Sequence, residues 1–238
     1  MNKFISGFLT AVLFFLIALF CLDRTYGIYN ILIKIFPPKR EAALIKHFAF
    51  DNADSLKEWS EKVFKGHVKY TLESSDGISY VHAISDSSCS AMYYDIKLDA
   101  SKHPHLSWKW RIGAFPQKNG KDDLYSKRED DFAARVYVIF PALFFANSKV
   151  LEYVWTRDLP AGTIASSPYS GNIKIVVLES GERAEWAAEE RDIYKDYVEA
   201  FSAKPQLAIG AIAFMCDSDS TKTKAEAFFG DIKLFYKR

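Results

Sequence analysis

From His105 to Ile112 the chain alternates without a break. Leu106, Trp108, Trp110 and Ile112 fall on one side, and Lys109 and Arg111 on the other. A period of two belongs to an extended strand with one face toward a core and one toward solvent. The two tryptophans assign the core side. Arg135 to Phe140 (RVYVIF), Ile173 to Leu178 (IKIVVL), Leu207 to Met215 (LAIGAIAFM) and Phe228 to Tyr236 (FFGDIKLFY) are further strand candidates. They are short, β-branched or aromatic, and bounded by turn residues. Val68 to Leu72, Tyr80 to Ile84 and Met92 to Leu98 add three more. Leu207 to Met215 is apolar on both faces, which predicts a central strand. Two helices are expected. Asp54 to Lys62 opens on an N-cap aspartate, and Glu189 to Phe201 carries Ile193, Tyr197 and Phe201 four apart. Many short strands with one or two short helices predict a mainly β fold, a β-sandwich of jelly-roll type. The polar stretch from Ala114 to Glu129 reads as a surface loop over one sheet.

The other strong constraint is at the N-terminus. Phe4 to Leu22 is apolar and uncharged, with Lys3 before it. Nineteen helical residues span roughly 28 Å, near the thickness of a bilayer core. No small-residue cleavage site follows, so an uncleaved signal anchor is favoured over a cleaved signal peptide. Gly27 to Phe36 is apolar but for Lys34 and reads as an interfacial segment or linker, and Pro37-Pro38 closes it. The expected layout is an anchor or signal over residues 1–24, a linker over 25–40 and a β-sandwich over 41–238. The inner membrane is then a partner through residues 4–22. Basic residues Arg24, Lys34, Lys39 and Arg40 follow the span and count against export. With a net charge of +1 the chain has no field of one sign to attract nucleic acid. Cys89 and Cys216 either form a disulfide in an oxidising compartment or stay as two buried thiols.

The ordered motifs carry a resemblance. They are Trp108-Lys109-Trp110-Arg111, then Glu129 to Val138 (EDDFAARVYV), Tyr153-Val154-Trp155, Val177 to Gly181, Trp186, Glu190-Arg191-Asp192, Asp196-Tyr197, Asp217 to Thr221 and Phe229 to Ile232. In this order they resemble the bacterial family called domain of unknown function 3047, over most of residues 48 to 236. Its members resemble exported proteins, which implies a cell-envelope location: a periplasmic domain on the inner membrane, or a secreted one if the signal is cleaved. The family implies no settled activity. A weaker resemblance, to galactose-binding-like jelly rolls, rests on Phe50-Asp51, Trp59 and Asp231-Ile232.

Four constellations are candidate sites. Arg111, Asp130, Asp131 and Arg135 on neighbouring strands form either a patch for a sugar or carboxylate, or an internal ion-pair network. Asp217-Ser218-Asp219-Ser220-Thr221 offers hard oxygen ligands from Asp217, Asp219 and Thr221 that suit Ca²⁺, or a polar hairpin turn. Among the aromatic residues Trp108, Trp110, Tyr153, Trp155, Tyr169 and Trp186, the first two are expected in the core. Tyr153 and Trp155 are expected to stack on a ligand, beside Arg157. The acidic run Glu179, Glu182, Glu185, Glu189, Glu190, Asp192 reads as a solvated face or as a source of paired carboxylates. His103 and His105 lack an identifiable third metal ligand. No GxSxG, HExxH, P-loop or GxGxxG occurs.

The leading expectation is a non-catalytic extracytoplasmic domain that binds a carbohydrate or another envelope component. Its site would hold Arg111, Asp130, Asp131, Arg135, Tyr153 and Trp155, with Arg191 joining from the helix. No cofactor is expected beyond calcium at the aspartate loop. The rivals are an envelope glycan hydrolase using two of Asp130, Asp131, Glu179 and Glu190, and a structural interaction protein.

Overall fold

The alternating segments pair into two sheets in the computed structural model, which describes residues 42–237. One sheet runs in the order β11 (Ala187–Asp192), β6 (Pro104–Ala114), β13 (Lys224–Tyr236), β4 (Ile78–Asp86), β3 (Lys69–Ser75), with β1 (Ala43–Phe48) also paired to β13. The other runs β2 (Ser60–Lys65), β5 (Cys89–Leu98), β12 (Ile209–Asp217), β7 (Ala134–Phe140), β8 (Lys149–Thr156), β10 (Ser170–Ser180), β9 (Ile164–Ser167). The pairings are antiparallel except β8 with β10. The expected anchor and linker lie outside the described residues. Among the described residues no helix is long and apolar enough to cross a membrane.

The core lies between the sheets and is aromatic. Trp108 and Trp110 of β6 meet Tyr153 and Trp155 of β8, with ring centroids 5.3 and 5.9 Å apart. Phe214 of β12 lies 5.0 Å from Phe229 of β13. Rings at these separations add specific geometry to the burial that drives the sandwich together. As expected, β12 is flanked on both sides, by β5 and β7. A smaller cluster of Leu124, Phe132, Val154, Ala165, Ile175 and Val177 lies on the other side of the seven-stranded sheet. There the 115–133 connection covers it as an apolar lid, a use that its polar sequence only partly announces.

Both expected helices are corrected. Ser55–Glu58 is a single 3-10 turn, Asp54 makes no side-chain cap, and Ser60–Lys65 is strand β2. The second helix, α1, is Ile193–Phe201; residues 187–192 before it form the edge strand β11. Asp192 caps α1, its carboxylate accepting from the Lys195 amide at 3.1 Å. Cys89 and Cys216 are free thiols. Cys89 is opposite Asp217 and Cys216 is opposite Ser90, so the two side chains leave opposite faces of one sheet.

Candidate functional site

The residues expected in one pocket occupy three places. Arg135 and Tyr137 point to the outer side of the seven-stranded sheet, beneath the 115–133 connection. Arg135 is 3% exposed. It donates through Nε and Nη2 to Asp217 at 2.9 and 2.8 Å and through Nη1 to Glu152 at 2.5 Å. Its Nη2 also donates to the Asp130 carbonyl, and Nη1 lies 3.7 Å from the Asp130 carboxylate. Asp131 does not touch Arg135. Its carboxylate accepts from the amides of Ser220 and Thr221, at 3.1 and 2.6 Å, and ties the connection to the turn after β12. Burial raises the pKa of Asp217 to about 8 against the pull of Arg135, and raises those of Glu152 and Asp130. One guanidinium thus serves three buried carboxyls, and the cluster keeps a proton near neutrality. This is an internal ion-pair network.

The aspartate loop belongs to that network. Both Asp217 oxygens are bound by Arg135, and Oδ1 also accepts from the Phe132 amide at 2.9 Å. Thr221 Oγ1 donates to the Ser218 carbonyl, and Asp219 pairs with Lys65 at 3.2 Å. Asp217 and Asp219 lie close together, but their third neighbour is the thiol of Cys89 and not Thr221. A thiol is a poor ligand for a hard cation such as Ca²⁺.

Tyr153 and Trp155 are core residues with no exposed surface. The Tyr153 hydroxyl donates to Asp196 at 2.7 Å, and Arg191 grips the same carboxylate through two bonds of 2.8 and 2.7 Å. Arg191 therefore fastens α1 to the edge of the sandwich. At that edge Glu189 accepts from Trp110 Nε1 at 3.2 Å and shares a hydrogen bond with Glu179. Burial and the Glu179 carboxyl push Glu189 up to about 7. Glu179 also pairs with Arg183 at 2.6 Å, while Glu190 sits exposed beside Lys237. His103 and His105 both turn to Asp192, at 3.1 and 3.9 Å.

Arg111 is elsewhere, on the outer face of the six-stranded sheet. Register places Thr71, His82, Phe228 and Arg111 side by side across β3, β4, β13 and β6. Ala187 pairs with Trp110, so Trp186, just before β11, takes the place beyond Arg111. The row is stacked. The Arg111 guanidinium lies 4.1 Å from the Phe228 ring centre and 5.4 Å from that of Trp186. His82 stacks on Phe228 at 4.6 Å and 22°. Tyr80 packs against Trp186 and Phe228 at 5.4 and 5.5 Å. Two glycines make room: a side chain on Gly230 would press on the backbone of Ser79 and on Tyr80, and one on Gly113 would collide with Glu226. His82 is held between Glu73 and Glu226, at 2.8 and 2.5 Å. Neighbouring strands are about 4.8 Å apart, so five places span roughly 19 Å. Of the residues expected to bind a ligand, Arg111 alone joins an aromatic face on the outside of a sheet. Trp186 is one of the family motifs and of the aromatic residues considered above, while His82 and Phe228 carry no site expectation from the sequence.

A two-sheet β-sandwich with a stacked aromatic and cationic row on one outer face is the class that fold and site define. The chain belongs to the family described as "Protein of unknown function (DUF3047)", whose model matches residues 57–233. No curated protein matches its sequence. Several solved structures are similar in fold. The family 11 carbohydrate-binding module of the cellulosomal cellulase Lic26A-Cel5E of Clostridium thermocellum is 11% identical, with 82% of this chain and 95% of that one covered and a TM-score of 0.44. A carbohydrate esterase of the Shiga toxin-encoding bacteriophage phi24B is 10% identical, with 83% and 100% covered and a TM-score of 0.48. The xyloglucanase domain of NopAA from Sinorhizobium fredii is 12% identical, with 75% and 93% covered and a TM-score of 0.42. None of these likenesses assigns a ligand to this chain.

Proposed function

We propose that this protein is a non-catalytic glycan-binding domain of the cell envelope, and that it binds along the outer face of the six-stranded sheet. We read the repeated passage of consecutive strands from one sheet to the other as jelly-roll type. The observation that carries the proposal is the row His82, Phe228, Arg111, Trp186, in which Phe228 and Tyr80 are buried as support and the partly exposed Trp186 ring is the surface open to a sugar. Sugar rings present apolar C–H faces that stack on indole and phenyl rings, and their hydroxyls need donors and acceptors at the rim. Arg111 supplies such donors. The apolar run over residues 4–22 would hold the domain at the inner membrane, facing the periplasm.

A hydrolase reading gains little from the geometry. Asp130 and Asp131 are committed to the buried network. Glu179 is paired with Arg183 and Glu190 with Lys237, so neither is left free as an acid or a base. The test is a tryptophan-fluorescence titration of the full-length protein in detergent against a panel of envelope and plant glycans. Binding by at least one glycan, weakened tenfold or more by Trp186→Ala with the fold intact, supports the proposal. Silence across the panel, or binding that ignores Trp186→Ala, overturns it.

A further inference from the structure

The ligand face contains a charge with nothing to answer it. Among the described residues, no carboxylate lies within ion-pair reach of Arg111, and its guanidinium makes no hydrogen bond to protein. Its Nε is buried, so a ligand would meet the guanidinium through the two Nη groups. The acids nearest it along the face are engaged elsewhere: Glu73 and Glu226 both turn to His82, and Asp231 takes Lys109, Lys233 and His47. Arg111 is nonetheless fixed, because Phe228 and Trp186 stack on it. A planar guanidinium held still with its donors unspent matches one class of group best, a planar oxyanion that accepts two parallel N–H bonds.

We infer that Arg111 selects glycans that carry a carboxylate, with the sugar ring against the Trp186 end of the row and its acid group on the guanidinium. The inference rests on the glycan-binding reading and sharpens it to acidic sugars of the uronic acid class. Neutral glycans would keep the stacking and leave the arginine unanswered. The bond is charge-assisted, so affinity should fall as salt rises.

The experiment compares hexagalacturonate with the same oligomer fully methyl-esterified, by calorimetric titration of the full-length protein in detergent. The two probes share ring, linkage and length and differ in the charge of the carboxyl. The acid form is expected to bind at least tenfold tighter. Arg111→Gln should abolish that preference, and Arg111→Lys, which keeps charge without the fork, should restore only part of it. Trp186→Ala should weaken both forms alike. A thermal melt checks each variant, and Arg111→Lys carries the test if Arg111→Gln does not fold. Equal binding of the two oligomers overturns the acidic preference and leaves the platform standing. A preference for the acid that survives both Arg111 variants places the carboxylate elsewhere and also overturns it. If neither oligomer binds, this inference fails, and the wider glycan panel decides whether the platform fails with it.

Discussion

Replacing Arg135 with alanine separates a structural network from a binding site, because the two roles predict opposite outcomes. The substitution leaves three buried carboxyls, those of Asp217, Glu152 and Asp130, without the guanidinium they share. Breaking a buried pair costs about 3–5 kcal/mol, against a total stability of about 5–15 kcal/mol for a typical domain. Loss of the guanidinium stacked 4.7 Å from the Phe132 ring adds to this. In urea, with a slope of about 2–3 kcal/mol/M for a chain of this size, the midpoint should fall by roughly 1–2 M. The sign with pH follows from the raised carboxyl pKa values. A carboxyl whose folded pKa lies above its unfolded one contributes stability at low pH and loses it as pH rises through the folded value. Asp217 titrates at about 8 in the folded protein and from an ordinary 3.8 when unfolded. The deficit of Arg135→Ala should therefore be largest near pH 8 and shrink by pH 5, where the stranded acids take up protons. Arg183→Ala, at a partly exposed pair with Glu179, is the control and should cost no more than about 1 kcal/mol. The measurement is equilibrium urea unfolding of the full-length chain at both pH values. A fold within 1 kcal/mol of the parent that has lost glycan binding would refute the reasoning and return Arg135 to the site.

Four further outcomes are expected. Glu189→Gln keeps an acceptor for Trp110 and a donor for Glu179 and removes a group raised to about 7. The parent should lose stability between about pH 4.5 and 7 while the variant does not, a difference of about 1 kcal/mol at pH 8 after allowing for solvent screening, read by urea unfolding. Tyr153→Phe should cost about 1 kcal/mol, because Arg191 still holds Asp196, and should leave glycan affinity unchanged in titration. Calcium or a chelator should leave the melting temperature in place, since Asp217 is spent on Arg135; a rise of several degrees with calcium alone would contradict this. Dithiothreitol should not shift the melt either, and a thiol reagent should find Cys89 and Cys216 only after unfolding, because both are buried and face opposite sides of the sheet.

The strands were legible wherever one face is apolar and the other polar. β6 is the clear case, and its alternation also put Arg111 on the outside. Strands that lack this contrast were misread. β2 is exposed at all six positions and sits at a sheet edge, so Trp59 and Val63 looked like one side of a helix. β11 carries Glu189 and Arg191 on its inward side, paired opposite Trp108 and Leu106, and polar residues facing a core give no apolar period. The expected site failed for a related reason. Sequence shows which face a residue takes within its own strand, but not which strand lies alongside. Arg135 and Arg111 were assigned to neighbouring strands, yet they belong to different sheets. The true partners of Arg135 did leave a signal. Glu152 is a lone acid inside the apolar run VLEYVWT, and such a charge needs a buried partner. Asp217 ends an apolar strand and drew attention as a metal ligand before it could be considered as an ion-pair partner.

Separation of these two arginines also bears on the proposed binding role. On the seven-stranded sheet Asp131 and Asp217 hold the 115–133 connection to the strands, and Glu152 pairs with Arg135 across β7 and β8, so these buried acids are engaged within the fold. On the six-stranded sheet the two acids of the row, Glu73 and Glu226, share one imidazole, so neither stands alone opposite a cleft as an acid or a nucleophile must. Phe228 and Tyr80 are themselves buried there, which leaves the partly exposed Trp186 ring and the Arg111 guanidinium open. A stacking plane and a fixed fork of donors suit the proposed recognition of a ring and an oxyanion.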